Sequence, residues 1–245
     1  MKILIFNQKG GVGKTTTAVN LGLGIARFAQ QAVTLIDLDP QTHLTAALGL
    51  RAENLAWNVS DWLAAERTAQ PEVIAENVQL IPGDWNPPPS RPHRATLASL
   101  TDWVIVDAPP IWNTEVATMM AQCDWVLTPM EPEFLSMQGI SRLLQRMEAE
   151  AISWQRLRLL LCRYDDRLVV HREVRARLTE RFGQHVFNGV IRNNIRLAEA
   201  PSYGQAIFDY APNSAGAEDY QALVTWIVQA SIITFNSTTH PHQEQ

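Results

Sequence analysis

Residues 9–16 read KGGVGKTT, and these are the residue types a triphosphate needs around it. Gly10, Gly11 and Gly13 have no Cβ to stop backbone N–H groups from turning toward phosphate oxygens. Val12 and Thr16 complete the run and offer backbone donors of their own. Lys14 has the reach to touch β- and γ-phosphates, and the Thr15 hydroxyl can enter a Mg²⁺ shell. A helix expected to begin at Thr15 adds partial positive charge at its first turn. The strict spacing G-x-x-x-x-G-K-[ST] is missed at one position, where Gln8 replaces the first glycine. Lys9 adds a second cation beside it. Lys2, Lys9 and Lys14 are the chain's only lysines, and a merely structural turn has no use for two of them. The expected ligand is a nucleoside triphosphate with Mg²⁺.

Three aspartates are candidates to serve the same ligand. Asp37 and Asp39 lie in DLDPQ and Asp107 lies in VIVDAPP, each close behind an apolar run. Mg²⁺ favours oxygen ligands and keeps part of its water, so Asp107 beside Thr15 suits a ligand acting through water. In-line attack on a γ-phosphate needs a group that orients water, and Asp39 is the candidate. Asp37 is expected to support the metal shell or Lys14. Any one of them alone also reads as a helix N-cap at a strand–helix turn. Three of them, with the glycine loop, point to a nucleotide site.

The elements that must position these residues follow from hydrophobic spacing. Apolar runs at 3–6, 32–36, 78–81, 103–106, 125–127 and 157–161 predict strands, with a weaker one between 186 and 191. The runs are near-continuous rather than alternating, as in parallel strands buried on both faces. Apolar residues at helical spacing predict helices over 15–29, 136–151, 171–182 and 217–230. Strand and helix alternate, which gives an α/β fold: a doubly wound, mostly parallel sheet flanked by helices. Its ligand belongs beyond the carboxyl ends of the strands. A single domain over 1–230 is expected, with a flexible tail over 231–245 and a proline-rich surface loop over 85–92.

Bulk composition narrows the class. A hydrophobic content of 46% with 18% charged residues is ordinary for a soluble globular protein. No run of about 18 apolar residues and no signal-peptide layout is present, so a cytoplasmic location is expected. Cys123 and Cys162 have neither metal-ligand spacing nor a disulfide framework and read as packing residues. The net charge of −5 conceals a basic segment between Arg142 and Arg196, with 12 arginines against 6 acidic residues. Such a segment is either a polyanion-binding face or a solvated helix surface, and composition does not choose between them.

KGGVGKTT with Lys9 resembles the deviant Walker A loop of the ParA/MinD P-loop ATPases. DLDPQ and VDAPP are similar to that family's next two signatures, and residues 130–144 (MEPEFLSMQGISRLL) to a later one. Residues 195–223 (IRLAEAPSYGQAIFDYAPNSAGAEDYQAL) resemble the C-terminal block of the ParA/Soj branch. Most of the chain is covered, with residues 50–100 matching weakly. The resemblance implies an ATP-sandwich homodimer in which Lys9 reaches the phosphates held by the other subunit. It implies slow Mg²⁺-dependent ATP hydrolysis, stimulated by a ParB-like or small cargo-adaptor protein. It also implies a nucleoid-associated protein that binds double-stranded DNA without sequence preference and distributes a plasmid, chromosome or protein organelle. Arg167, Arg172, Arg175, Arg192 and Arg196 are then the expected DNA contacts, and Arg163, Asn193 and Pro201 the expected adenine contacts. Two departures fall near that base pocket. Arg192-Asn193 stands where Pro-Arg is common in the family, and Cys162-Arg163 stands where Thr-Met or similar is usual.

The family's other branches are less well matched. Two isolated cysteines do not supply an Fe–S cluster. The stretch SIITFNSTTHPHQEQ has no Lys or Arg, so a basic membrane-binding helix is not expected there. No room is seen for an N-terminal helix-turn-helix domain. The alternatives are a MinD-like membrane-associated positioning ATPase and a metabolic P-loop synthetase.

Overall fold

A computed structural model describes residues 1–65, 70–88, 94–100 and 103–239, the side chains of 233–239 excepted. In chain order the elements are β1 (Lys2–Ile5), α1 (Lys14–Gly24), β2 (Val33–Asp37), α2 (His43–Ala47), α3 (Val59–Ala64), β3 (Glu72–Ala75) and β4 (Val78–Ile81). There follow β5 (Trp103–Asp107), α4 (Thr114–Gln122), β6 (Trp125–Met130), α5 (Phe134–Ala149), β7 (Leu157–Tyr164) and α6 (Val169–Phe182). The chain closes with β8 (Ile191–Arg192), α7 (Ile195–Glu199), α8 (Ile207–Tyr210) and α9 (Ala215–Thr239).

The strands form one sheet in the order β3-β4-β2-β5-β1-β6-β7-β8, parallel except for the β3–β4 pair. Strand β5 shows why its run is apolar throughout. Trp103 and Ile105 face one core with Leu21 of α1, Ile25 just after it, and Leu223 and Ile227 of α9, and Val104 and Val106 face the other. That second core includes Val116 and Met120 of α4, Leu143 and Met147 of α5, and Leu178 of α6. Successive side chains point to opposite faces, so a strand covered on both sides must be apolar at every position. Each fully buried Leu, Ile or Val is worth about 1.5–3 kcal/mol.

Several expectations needed correction. Strand β3 pairs antiparallel at the sheet edge with exposed and half-buried residues alternating, so it carries no continuous apolar run. Strand β8 is only two residues long, and Val186 contributes an isolated bridge to Leu159. The last helix does not stop at 230. Ser231 is buried, its hydroxyl donates to the Val228 carbonyl at 2.7 Å, and no Gly or Pro stands between Ser231 and Thr239. The boundary placed at 231 therefore falls inside α9, and the HPHQEQ stretch lies outside the described residues. Of the proline-rich loop, 85–88 carry no helix or strand, and 89–92 lie outside the described residues.

Candidate nucleotide site

The glycine loop joins the end of β1 to the start of α1. Gly11 (φ 74°) and Gly13 (φ 97°) adopt the left-handed region, where a side chain would be strained. Gly10 does not, and it needs no glycine on that ground. Gly13 is the N-cap of α1, with no side-chain cap bond and no acidic residue in the first turn. The helix's first N–H groups are thus left for an anion. They face a cleft of about 690 Å³ lined by residues 10–16, Asp39 and Gln41 on one side and by Arg163, Asn193, Asn194 and Tyr220 on the other. A groove of similar size between the end of α1 and α9, lined by Phe28, Trp103, Val228 and Ile232, has no charged side chain in its wall. Chemistry, not volume, distinguishes the two.

Lys14 is buried, and its Nζ donates to the Lys9 carbonyl at 3.2 Å. Burial lowers its pKa, while the carboxylates of Asp107 and Asp39 oppose that shift. The Thr15 hydroxyl donates to Asp107 Oδ2 at 2.6 Å. The other oxygen, Oδ1, is buried and has no hydrogen-bond partner. An acceptor left over beside a hydroxyl at a phosphate loop suits a Mg²⁺ ion or its water. Asp37 and Asp107 are register neighbours at the ends of β2 and β5. Burial, then the Asp37 charge, pushes the Asp107 carboxyl up to about 8, and burial pushes Asp37 up to about 6.

A carboxyl whose folded-state pKa is raised contributes stability that is present below its unfolded value and lost as pH rises through the folded one. The ligand-free chain should therefore lose stability from about pH 4 to about pH 8, with Asp37 contributing up to about pH 6. Asp107→Asn is expected to flatten that slope and to raise the melting temperature at pH 8 in EDTA by about 3 °C or more. Melting curves against pH check this, and an Asp107→Asn chain that melts lower than the parent at pH 8 counts against it.

Asp37 has a different occupation from the one expected. It is fully buried, and Oδ2 accepts from the Thr45 N–H (2.9 Å) and the Thr45 hydroxyl (2.7 Å). Its Oδ1 accepts from the Asp39 N–H at 3.3 Å. The expected support of the metal shell or of Lys14 meets a carboxylate already committed to α2 and the loop before it. Asp39 lines the cleft, with Oδ1 accepting from the Gln41 N–H at 2.9 Å.

Lys9 does not line the cleft that holds Lys14. Its ammonium pairs with Glu131 and, at 2.9 Å, with Glu133, on the connection between β6 and α5. Those bonds raise its pKa, the one to Glu131 most. Arg163 also pairs with Glu131 (2.7 Å), from a left-handed backbone at φ 53°. Arg163 and Asn193 line the cleft; Pro201, which follows α7, is not in its wall. Gln41, Asn194 and Tyr220 were not singled out from sequence. Gln41 could have been, because it closes the DLDPQ run.

The five arginines expected on DNA divide into two groups. Arg167 pairs with Asp165 (2.7 Å), Arg192 with Asp219 (2.8 Å) and Glu218 (2.9 Å), and Arg196 with Glu199 (2.8 Å). Arg172 donates to the Asp166 carbonyl, and Arg175 to the Asn188 carbonyl (2.7 Å) while lying over the Tyr164 ring. The basic segment is partly neutralised, by Asp165 from within it and by Glu199, Glu218 and Asp219 from beyond it.

Residues 3–207 match the CobQ/CobB/MinD/ParA nucleotide binding domain. The chain belongs to that family. It is 36% identical over 237 residues to the chromosome-partitioning ATPase Soj of Thermus thermophilus, covering 91% of this chain and 93% of that one. Among solved structures it resembles a Borrelia burgdorferi B31 protein described as a plasmid partition protein and bound to AMPPNP. That likeness has a TM-score of 0.78 at 18% identity, over 94% of this chain and 98% of the other. It also resembles cobyrinic acid a,c-diamide synthase of Mycobacterium smegmatis, solved with ADP and magnesium. Here the TM-score is 0.73 at 25% identity, over 93% and 94% of the two chains. The likeness to Soj over nearly the whole chain agrees with the ParA/Soj resemblance of its motifs.

Proposed function

We propose that this family member is a partitioning or positioning ATPase that acts as an ATP-sandwich dimer on DNA. The observation that carries the reading is the position of Lys9, at the start of the phosphate loop yet outside its own cleft. A cation so placed serves a phosphate held by a second copy. The pair with Glu133 is exposed on both sides and is worth about 0–1 kcal/mol, so the half-buried Glu131 is the partner that a phosphate would have to replace. Ile111, Phe134, Leu135, Val169 and Ile195 are each more than half exposed. They follow the carboxyl ends of β5, β6, β7 and β8, the same edge as the cleft, and suit burial against a second copy.

ATP with Mg²⁺ joins the two chains, and Asp39 orients the attacking water. Hydrolysis removes the γ-phosphate that bridges them, accelerated by a ParB-like or small cargo-adaptor partner. Arg172 and Arg175 lead the DNA contacts, because their guanidinium groups use backbone carbonyls as acceptors. Arg167, Arg192 and Arg196 would first have to leave a carboxylate. Among the described residues no helix is long and apolar enough to cross a membrane, and the reading places the protein in the cytoplasm on the nucleoid.

Light scattering with Mg²⁺ and AMPPNP tests it. The parent chain should double in mass and be retained on DNA of arbitrary sequence, with affinity falling steeply as salt rises. Lys9→Ala should bind the analogue yet stay single and off DNA. A parent chain that remains single with saturating analogue overturns the reading. Hydrolysis that instead required a small carboxylate substrate would favour a P-loop synthetase.

A further inference from the structure

The loop that carries Asp39 is held by a small buried network that no phosphate contact explains. Its centre is Thr45, fully buried in the five-residue helix α2. The Thr45 hydroxyl donates to Asp37 Oδ2 (2.7 Å) and accepts from the Gly83 N–H (2.9 Å). One side chain thereby ties together the end of β2, helix α2 and the turn after β4. A helix of five residues has no stability of its own and takes its place from such contacts. At Gly83 a Cβ would fall 2.9 Å from both Asp37 Oδ2 and Thr42 Cγ2, so the backbone could not come this close with any other residue.

The same anchor fixes Asp39. Asp37 Oδ1 holds the Asp39 N–H, and the Asp39 carbonyl accepts from the Thr42 N–H at 2.8 Å. Thr42 itself is left-handed at φ 52°, a conformation that the residues on either side must impose. Asp39 is thus suspended between Asp37 before it and α2 after it, and both are clamped by Thr45. Leu38, between the two aspartates, is held separately by its N–H on the Asp107 carbonyl (2.9 Å) and by burial in the core. The Gln41 N–H on Asp39 Oδ1 sets only the rotation of the carboxylate.

We propose that Thr45 is a positioning residue for hydrolysis: its hydroxyl, shared between Asp37 and the Gly83 N–H, fixes the Asp39 carboxylate at the place where it addresses water. The proposal rests on the reading of Asp39 as the water-orienting group. Thr45 does not line the cleft and acts through Asp37 and the loop.

The test uses the full chain with Mg²⁺–ATP and three variants, Thr45→Val, Thr45→Ser and Asp39→Ala, with the Val and Ala changes also combined. Val keeps the shape and the backbone N–H to Asp37 but removes the hydroxyl. Thr45→Val is expected to lower kcat by between about 10- and 100-fold, as small misplacements of reacting groups do, with KM within about twofold of the parent. Thr45→Ser should restore kcat to within about twofold, and the double variant should be no slower than Asp39→Ala alone. Parent-like turnover in Thr45→Val, with Asp39→Ala impaired, overturns this proposal and leaves the Asp39 reading standing. Parent-like turnover in Asp39→Ala removes both. A Thr45→Val chain that loses KM, kcat and melting temperature together, with no rescue by Ser, assigns Thr45 to folding and overturns positioning.

Discussion

A Lys14→Ala chain should bind ATP between about 10² and 10⁴ times more weakly than the parent while melting at nearly the same temperature. Two charge-assisted contacts to the β- and γ-phosphates, at about 1.5–3 kcal/mol each, correspond to that range. The side chain is buried before any ligand arrives, so its desolvation is met in the folded chain rather than at binding. Burial lowers its pKa, which means the free fold gains little from the ammonium. Removing it takes away the charge that opposes the raised pKa of Asp107, so the Asp107 carboxyl holds its proton more firmly. Isothermal titration with Mg²⁺–AMPPNP gives the affinity, and a thermal melt gives the fold. Lys14→Arg should not rescue binding, because the planar guanidinium does not replace a compact ammonium at that depth. Near-parental affinity in Lys14→Ala would mean that the backbone amides alone hold the triphosphate.

What could be read from sequence, and what could not, follows from how far apart the cooperating residues lie. The phosphate loop is contiguous, so its glycines and Lys14 and Thr15 were visible in eight residues, and Asp107 was visible behind its apolar strand. Parallel strands buried on both faces produced their own unbroken signal, which is why six of the eight strands could be placed. Strand β3 was not visible because an edge strand with Val73 in solvent has no such run. The partners of Asp37 were not visible either. Thr45 lies eight residues on and Gly83 lies 46 residues on, and only the β2–β4 pairing brings the turn beneath the carboxylate. The arginine-rich segment shows the same limit. Arg192 is stapled by Asp219 from α9, a residue 27 positions away, so a charge count could not tell a free guanidinium from a committed one.

Asp39→Ala is the other large effect, and its sign differs between binding and turnover. Groups that orient or deprotonate an attacking nucleophile contribute about 10²–10⁴ in rate. ATP turnover by Asp39→Ala, with or without a stimulating partner, should therefore fall by about 100-fold or more. Binding should not fall with it. Removing a carboxylate from the wall of a cleft that receives a triphosphate takes away a repulsion, so affinity for ATP is expected to hold or improve. The loop should survive the change, because the backbone bond from Thr42 to the Asp39 carbonyl and the bond from Asp39 N–H to Asp37 do not use the lost side chain. A chain that binds ATP and cannot cleave it remains joined to its second copy. Asp39→Ala incubated with Mg²⁺–ATP should thus accumulate as a DNA-bound dimer under conditions where the parent chain cycles off. Phosphate release and retention on DNA, followed in the same sample, read the two halves of this outcome. Rapid phosphate release by the purified variant would refute the assignment of Asp39. Slow release from a chain that stays single would instead place Asp39 in dimer formation.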